Sequence, residues 1–384
     1  MINTELYAEI SDFAEKYFEE YKELIKSITA IPAPSHKEDK RVKYLLSLLN
    51  NMGIKAHTDI AKNVIVDEFF TGADTHMYMA HIDTVFPDED TIKVVEEDGK
   101  IKGAGVGDDT TNVAAILMTL KFIKERGLRP DGSIIFALNS CEEGLGNLKG
   151  SRQLAKDYGD KLTQVISFDC GYESICNKAV GSKRYEITIK TKGGHSYYDF
   201  GNGNAIEYMA KLINQIYKTD ILDIEGKNTY NVGVISGGTS VNTIAEDAKI
   251  LFEYRSDSDE SLEKINLIFK NVIKAFLDKY NKELEAEIKC VGERPSERGV
   301  DMEKQLQLSF MGKEIIKYAT DFDAEFCSAS TDCNIPLSMG IPAICYGTYT
   351  GGGQHTREEY VNIDSLKGGL RIAMLTILQE FCGK

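Results

Sequence analysis

Residues 133–147 read SIIFALNSCEEGLGN. The opening run, Ser133 to Leu138, carries no charge and is dominated by apolar residues, the pattern of a strand buried on both faces. Two adjacent carboxylates, Glu142 and Glu143, follow just beyond its end. Like charges held side by side near a core are costly unless something positive compensates them. The stretch therefore raises both the question of fold and the question of chemistry.

Working outward, strand and helix patterns alternate. Apolar runs at 63–67, 77–82 and 164–168 read as further strands, and helical periodicity falls at 110–126 and 148–158. This alternation predicts an α/β domain with a mostly parallel central sheet. Toward the amino end, Ile10, Phe13, Tyr17, Tyr21, Leu24 and Ile28 recur at the spacing of one amphipathic helix. Ser35-His36-Lys37-Glu38 reads as a capping box that opens a helix to about Asn51, with Gly53 just beyond it.

The middle of the chain has a different rhythm. A strand at 185–190, a helix at 203–218, strands at 230–236 and 249–255, a helix at 260–280 and a strand at 284–291 give the order β-α-β-β-α-β. That is a ferredoxin-like α+β unit. Beyond it, a helix at 303–320, a strand at 341–346 and a helix at 364–382 return to the first pattern. Residues 1–180 and 293–384 are thus expected to form one catalytic domain, interrupted by an inserted domain at 181–292.

Composition narrows the function. The chain has 384 residues, 42% hydrophobic and 27% charged, an ordinary globular profile. A net charge of −15 argues against a nucleic-acid or anionic-membrane partner. The amino-terminal stretch lacks the basic and continuous apolar regions of a signal peptide, and no run reaches the roughly 18 apolar residues of a membrane span. Eight scattered cysteines without a CxxC read as free thiols, which with the preceding points leads to an expected cytoplasmic location.

In open α/β sheets ligands bind beyond the carboxyl ends of the strands. His81 and Asp83 lie at the end of the run 77–82, Asp108 and Asp109 stand before the helix 110–126, and Glu142 and Glu143 follow 133–138. Asp169 follows the run 164–168, and His355 lies in a glycine-rich loop after 341–346. Singly, each reads as a helix cap, a turn or a surface residue. Together they deliver two imidazoles and several carboxylates to one rim. Such a set, without cysteine, suits zinc, cobalt or manganese, and the cations would neutralise the crowded acids.

HIDTV, GVGDDTTN, CEEG, SFDCG and QHTREEY, in this order, resemble the co-catalytic zinc peptidase and deacylase superfamily. That group includes peptidase T, carboxypeptidase G, aminoacylase and succinyl-diaminopimelate desuccinylase. The resemblance covers nearly the whole chain, and the inserted domain corresponds to the lid and dimerisation domain. It implies two metals about 3.5 Å apart. His81 and Asp169 would hold one, Glu143 and His355 the other, and Asp108 would bridge them. Asp83 would orient the His81 ring, and Glu142 would be the general base for a metal-bridging water.

In the inserted domain, His195 of GGHS matches a histidine that in the family reaches the partner subunit's site and stabilises the oxyanion. By itself it reads as an exposed loop histidine. Asn242 and Arg255 match substrate-binding positions of the lid. Arg255 suits a substrate carboxylate, or alternatively a surface pair with Asp257 or Asp259. Many relatives carry an acid at the position of Cys141, and Lys-Gly-Gly where Thr110-Thr111-Asn112 stands. GVGDDT with YNVGVISGGTSVN looks nearest to the peptidase T-like branch. The implied protein is a homodimeric di-zinc hydrolase that cleaves small peptides, with N-acyl-amino-acid deacylation as the alternative.

Overall fold

The computed structural model describes residues 4–221 and 223–381. They separate into two compact units: the chain up to Ala179 with the chain from Arg298 onward, and Val180–Glu297 between them.

The first unit is built on an eight-stranded sheet. Its centre is four parallel strands in the spatial order Ser133–Asn139, Thr75–His81, Leu162–Ser167 and Ala343–Cys345. Val64–Phe69 runs antiparallel on one side and Ser174–Ala179 on the other. The two edges are His57–Thr58 and Glu325–Ala329. Every residue of Ser133–Asn139 is buried, as an uncharged central strand requires. Its alternation divides the core. Ile134, Phe136 and Leu138 join the cluster containing the helices Thr4–Lys16, Phe18–Thr29, Asn112–Arg126 and Ile363–Leu378. Ile135 and Ala137 join the opposite cluster, with Leu154 and Leu337 of the helices Lys149–Tyr158 and Asn334–Ser338. The mixed α/β architecture is therefore a sheet between helical layers.

Several local expectations need correction. The amino-terminal periodicity belongs to two helices, Thr4–Lys16 and Phe18–Thr29, broken at Tyr17, whose hydroxyl hydrogen-bonds Glu125 at 3.1 Å. The capping box does not form: the helix is Asp39–Asn51 and its N-cap has no side-chain hydrogen bond. Glu38 instead accepts from the His36 N–H at 2.8 Å, while the Ser35 hydroxyl donates to Asp83. The last helix is Ile363–Leu378 with a short 3-10 turn at Gln379–Phe381, and residue 382 of its expected span lies outside the described residues. Strands Ser174–Ala179 and Glu325–Ala329 gave no sequence signal, because neither SICNKA nor EFCSA alternates in polarity.

The second unit is a four-stranded antiparallel sheet in the spatial order Asn228–Gly237, Asp247–Ser256, Gly181–Lys190, Glu285–Arg294. Helices Ala205–Tyr217 and Asp259–Lys279 pack against it through Met209, Leu212, Ile265 and Phe269, with Ile187, Ile250 and Phe252 from the sheet. Order and connectivity are those of the ferredoxin-like unit. The last strand pairs as far as Arg294 with Ser182, so this unit runs a few residues beyond the position 292 expected for its end.

Candidate metal centre at the carboxyl edge of the sheet

Three neighbouring parallel strands end at one rim. Thr75–His81 delivers His81 directly, Ser133–Asn139 is followed by Glu142 and Glu143, and Leu162–Ser167 by Asp169. Asp108 arrives from the segment before the helix Asn112–Arg126, and His355 from the loop between the short strands Gly351–Gly352 and Tyr360–Asn362.

Asp108 sits between the two imidazoles. Its Oδ1 lies 2.9 Å from His81 Nε2, and its Oδ2 lies 3.1 Å from His355 Nε2. His355 Nε2 is also 3.2 Å from Glu143 Oε1. Two donor groups result, His81 with Asp108 and Asp169, and Asp108 with Glu143 and His355. A third comprises His81, Glu142 and Glu143, and within each group the donor atoms lie within 4.8 Å of one another. All of these residues are buried or nearly so except His355, whose side chain is 58% exposed.

The electrostatics reflect the crowding of buried acids. Burial, with Asp108 and Glu142 nearby, pushes the Glu143 carboxyl up to about 7 even though His355 pulls it down. Burial and Asp108 push Asp169 up to about 6. Hydrogen bonds to Asp108 and Glu143 raise His355 to about 10. Burial would depress His81, but Asp109, Asp108 and Asp83 outweigh it and raise it well above the ordinary imidazole value. Glu143, Asp169 and both imidazoles thus favour their protonated forms more than they would in water. Imidazole and carboxylate donors in two groups sharing one carboxylate fit a pair of divalent cations.

Behind the donors lies a set of supports that reach across the sequence. Asp83 is fully buried. Its backbone carbonyl faces His81 Nδ1 at 3.0 Å, while its carboxylate stands 3.5 Å from the same nitrogen. The carboxylate also accepts the N–H of Glu142 at 2.9 Å, the N–H of Glu143 at 3.0 Å and the Ser35 hydroxyl at 2.6 Å. Burial raises its pKa, but His81, Ser35 and the Glu142 amide together hold it below the usual value. Asp83 thus touches both the ring and the loop of the two glutamates.

Four supports take roles that the sequence pattern does not show. Ser35, whose spacing predicts a helix cap, donates to the Asp83 carboxylate at 2.6 Å. Asp109 accepts the His81 N–H at 2.8 Å and the Asn112 side-chain amide at 2.6 Å. Asn112 also donates to the Cys170 carbonyl at 3.1 Å and accepts from the Thr348 N–H at 2.7 Å, tying three loops together. Glu359 is buried under the Asp108 segment. The EE pair in QHTREEY was the available signal for it. Cys141 has a partner as well: its buried thiol donates to Glu38 Oε1 at 3.0 Å, and burial and Glu38 push its pKa up to about 12.

His195, Asn242 and Arg255 belong to the second unit. His195 pairs with Thr243 in a two-stranded ladder, and the Ser196 N–H donates to the Asn242 carbonyl at 3.1 Å, so His195 and Asn242 are neighbours. His195 Nδ1 accepts the Tyr197 N–H at 3.2 Å, which leaves the proton of a neutral ring on Nε2. Arg255 does not pair with Asp257 or Asp259 as the surface alternative expected. Its Nε and Nη2 donate to Glu253 at 3.0 and 3.2 Å, because alternate positions of one strand share a face.

A mixed α/β sheet with imidazoles and carboxylates gathered at its carboxyl rim has the donor set of a metal-binding site. Comparison with known proteins identifies the family. The sequence matches the profile of Peptidase family M20/M25/M40 over residues 77–379, and the chain belongs to that family. Acetylornithine deacetylase of Buchnera aphidicola is 26% identical over 68% of this chain and 73% of its own. Carboxypeptidase G2 of a Pseudomonas species is 25% identical over 89% of this chain and 84% of its own. The crystal structure of a tripeptidase from Staphylococcus aureus superposes with a TM-score of 0.74 at 21% identity, covering 94% of this chain and 99% of that one. No helix among the described residues is long and apolar enough to cross a membrane.

Proposed function

We propose that this hydrolase cleaves the amide bond of a di- or tripeptide, using two divalent cations, zinc before cobalt or manganese. The observation that carries the reading is Asp108, whose two carboxylate oxygens each face a different imidazole, at 2.9 and 3.1 Å. His81 and Asp169 would hold one cation and Glu143 and His355 the other, with Asp108 shared. Bound there, the cations would lower the pKa of a water and polarise the scissile carbonyl.

The remaining steps fall to the chain. Glu142 is held by its own N–H on Asp83, beside Glu143, and its carboxylate belongs to a group with His81 and Glu143. From there it takes the proton of the attacking water and returns it to the leaving amine. His195, supplied by the partner subunit of a homodimer, donates from Nε2 to the tetrahedral oxyanion. Donors of this kind contribute about 2.7–4 kcal/mol. Asn242 and Arg255 contact the substrate, and Arg255 must share or release Glu253 to receive a carboxylate.

The deciding experiment is a metal-replete panel of dipeptides, tripeptides and N-acyl amino acids. Highest kcat/KM on a di- or tripeptide supports the reading. Highest kcat/KM on N-acyl amino acids would replace it with deacylation, the activity named for the Buchnera relative. For the shared site, His195→Ala mixed with Glu142→Ala under subunit exchange should recover activity that neither has alone. No recovery would remove His195 from the partner's site.

A further inference from the structure

Glu359 is 1% exposed, yet it is a carboxylate placed beneath an acidic cluster. Its Oε1 accepts the Gly107 N–H at 2.9 Å and the Asp108 N–H at 2.8 Å. Its Oε2 accepts the Gly105 N–H at 2.6 Å. Its backbone carbonyl accepts the Gly103 N–H at 3.0 Å. The segment before Asp108 is shaped to present those amides. Gly105 has φ +74°, where a side chain is strained, and a Cβ on Gly107 would lie 2.6 Å from the Tyr349 hydroxyl oxygen.

We propose that Glu359 is a positioning residue for the shared carboxylate. It fixes the peptide of Asp108 so that its two oxygens face the two imidazoles, and it fastens that peptide to the loop carrying His355. The inference rests on the two-cation reading above.

Position in the fold explains the coupling. His355 lies between Gly351–Gly352 and Tyr360–Asn362, which pair with each other, and Tyr360–Asn362 pairs in turn with Lys100–Lys102. Glu359 stands where this small sheet meets the Asp108 segment. Three N–H donors converge on it, so both of its oxygens are used. A glutamine has one carbonyl oxygen, and its NH₂ group would confront an N–H. A simple loop tether would need one acceptor and one amide. What this carboxyl group adds is two acceptor oxygens that grip three amides of the peptide segment bearing the shared donor.

The test is titration of the metal-free protein with Co(II) alone, comparing wild type, Glu359→Gln and the exposed neighbour Glu358→Gln. Affinity for each equivalent, the visible Co(II) spectrum and the metal-free Tm are read. Glu359→Gln should weaken at least one equivalent by about 10–100-fold and alter the spectrum, while Glu358→Gln leaves both unchanged. Wild-type affinities and spectrum in Glu359→Gln would overturn the proposal. So would a lowered Tm with an unaltered titration, since that is the mark of a tether. If Glu359→Gln does not fold, Glu359→Asp, which keeps the charge but is one methylene shorter, is judged by the same criteria. A wild-type protein that binds fewer than two Co(II) would instead reject the two-cation reading, and the proposal with it.

Discussion

Replacing Asp83 with asparagine tests the support behind the glutamate pair. The carboxylate accepts three hydrogen bonds in a fully buried position: the N–H groups of Glu142 and Glu143 and the Ser35 hydroxyl. The substituted amide keeps one oxygen. Ser35 can rotate its hydroxyl and accept from the new NH₂, but the amide of Glu142 or Glu143 must then face a donor. Orphaning that buried N–H costs about 1–3 kcal/mol. The two surviving bonds become neutral instead of charge-assisted, which costs about 1 kcal/mol each. The sum is about 3–5 kcal/mol. At roughly 2 °C per kcal/mol for a folding unit of this size, Tm should fall by about 6–10 °C.

The measurement is thermal unfolding of the metal-free protein at pH 7, so that lost cation binding does not contribute. The sign of the pH dependence is set by the depressed pKa of Asp83. A lowered carboxyl pKa contributes stability above the unfolded value, about 3.9, and loses it as pH falls through the folded value. The gap between wild type and Asp83→Asn should therefore narrow in acid. A Tm difference under about 1 °C at pH 7 would refute the reasoning.

Four other outcomes are expected. Glu142→Ala should keep about two metals per chain while kcat falls by about 10²–10⁴, whereas Glu143→Ala should lose metal by elemental analysis; unchanged turnover in the first or full occupancy in the second would reverse the roles. Metal binding at pH 7 should release protons, because His355 is raised to about 10 and His81 well above its ordinary value in the metal-free protein. Apparent affinity should then weaken as pH falls, and calorimetry in buffers of different ionisation heat counts the protons, with zero counting against the site. In the metal-free protein the raised His355 contributes stability that is complete below about pH 6.5 and fades as pH rises toward about 10, so its loss in His355→Ala should matter less in alkali. Gly347→Ala should lower Tm and disturb the loop after Asp169, because its Cβ would land on the Cys170 carbonyl oxygen; an unchanged Tm would contradict that contact.

The alternation of apolar runs and helical periodicity made the α/β class readable from sequence, because burial of a strand between two layers leaves its mark on every residue of SIIFALN. The residues gathered at the rim were readable for a related reason. Imidazole and carboxylate at several strand ends is costly chemistry that a chain carries only for a purpose. What sequence did not determine was which partners those groups take. Ser35 looked like a cap and instead bonds Asp83; Tyr17 looked like the middle of a helix and instead breaks it.

The supports were hidden for one physical reason: their partners are remote. Glu359 grips amides about 250 positions away, and Asn112 joins loops 58 and 236 residues distant. A hydrogen bond depends on an approach of about 3 Å between atoms, and spacing along the chain carries no record of that approach. Residue type and periodicity determined the parallel centre of the sheet and the imidazoles and carboxylates at its rim. Only the packed tertiary structure decided which backbone amides Asp83, Asp109 and Glu359 accept and which loops Asn112 joins.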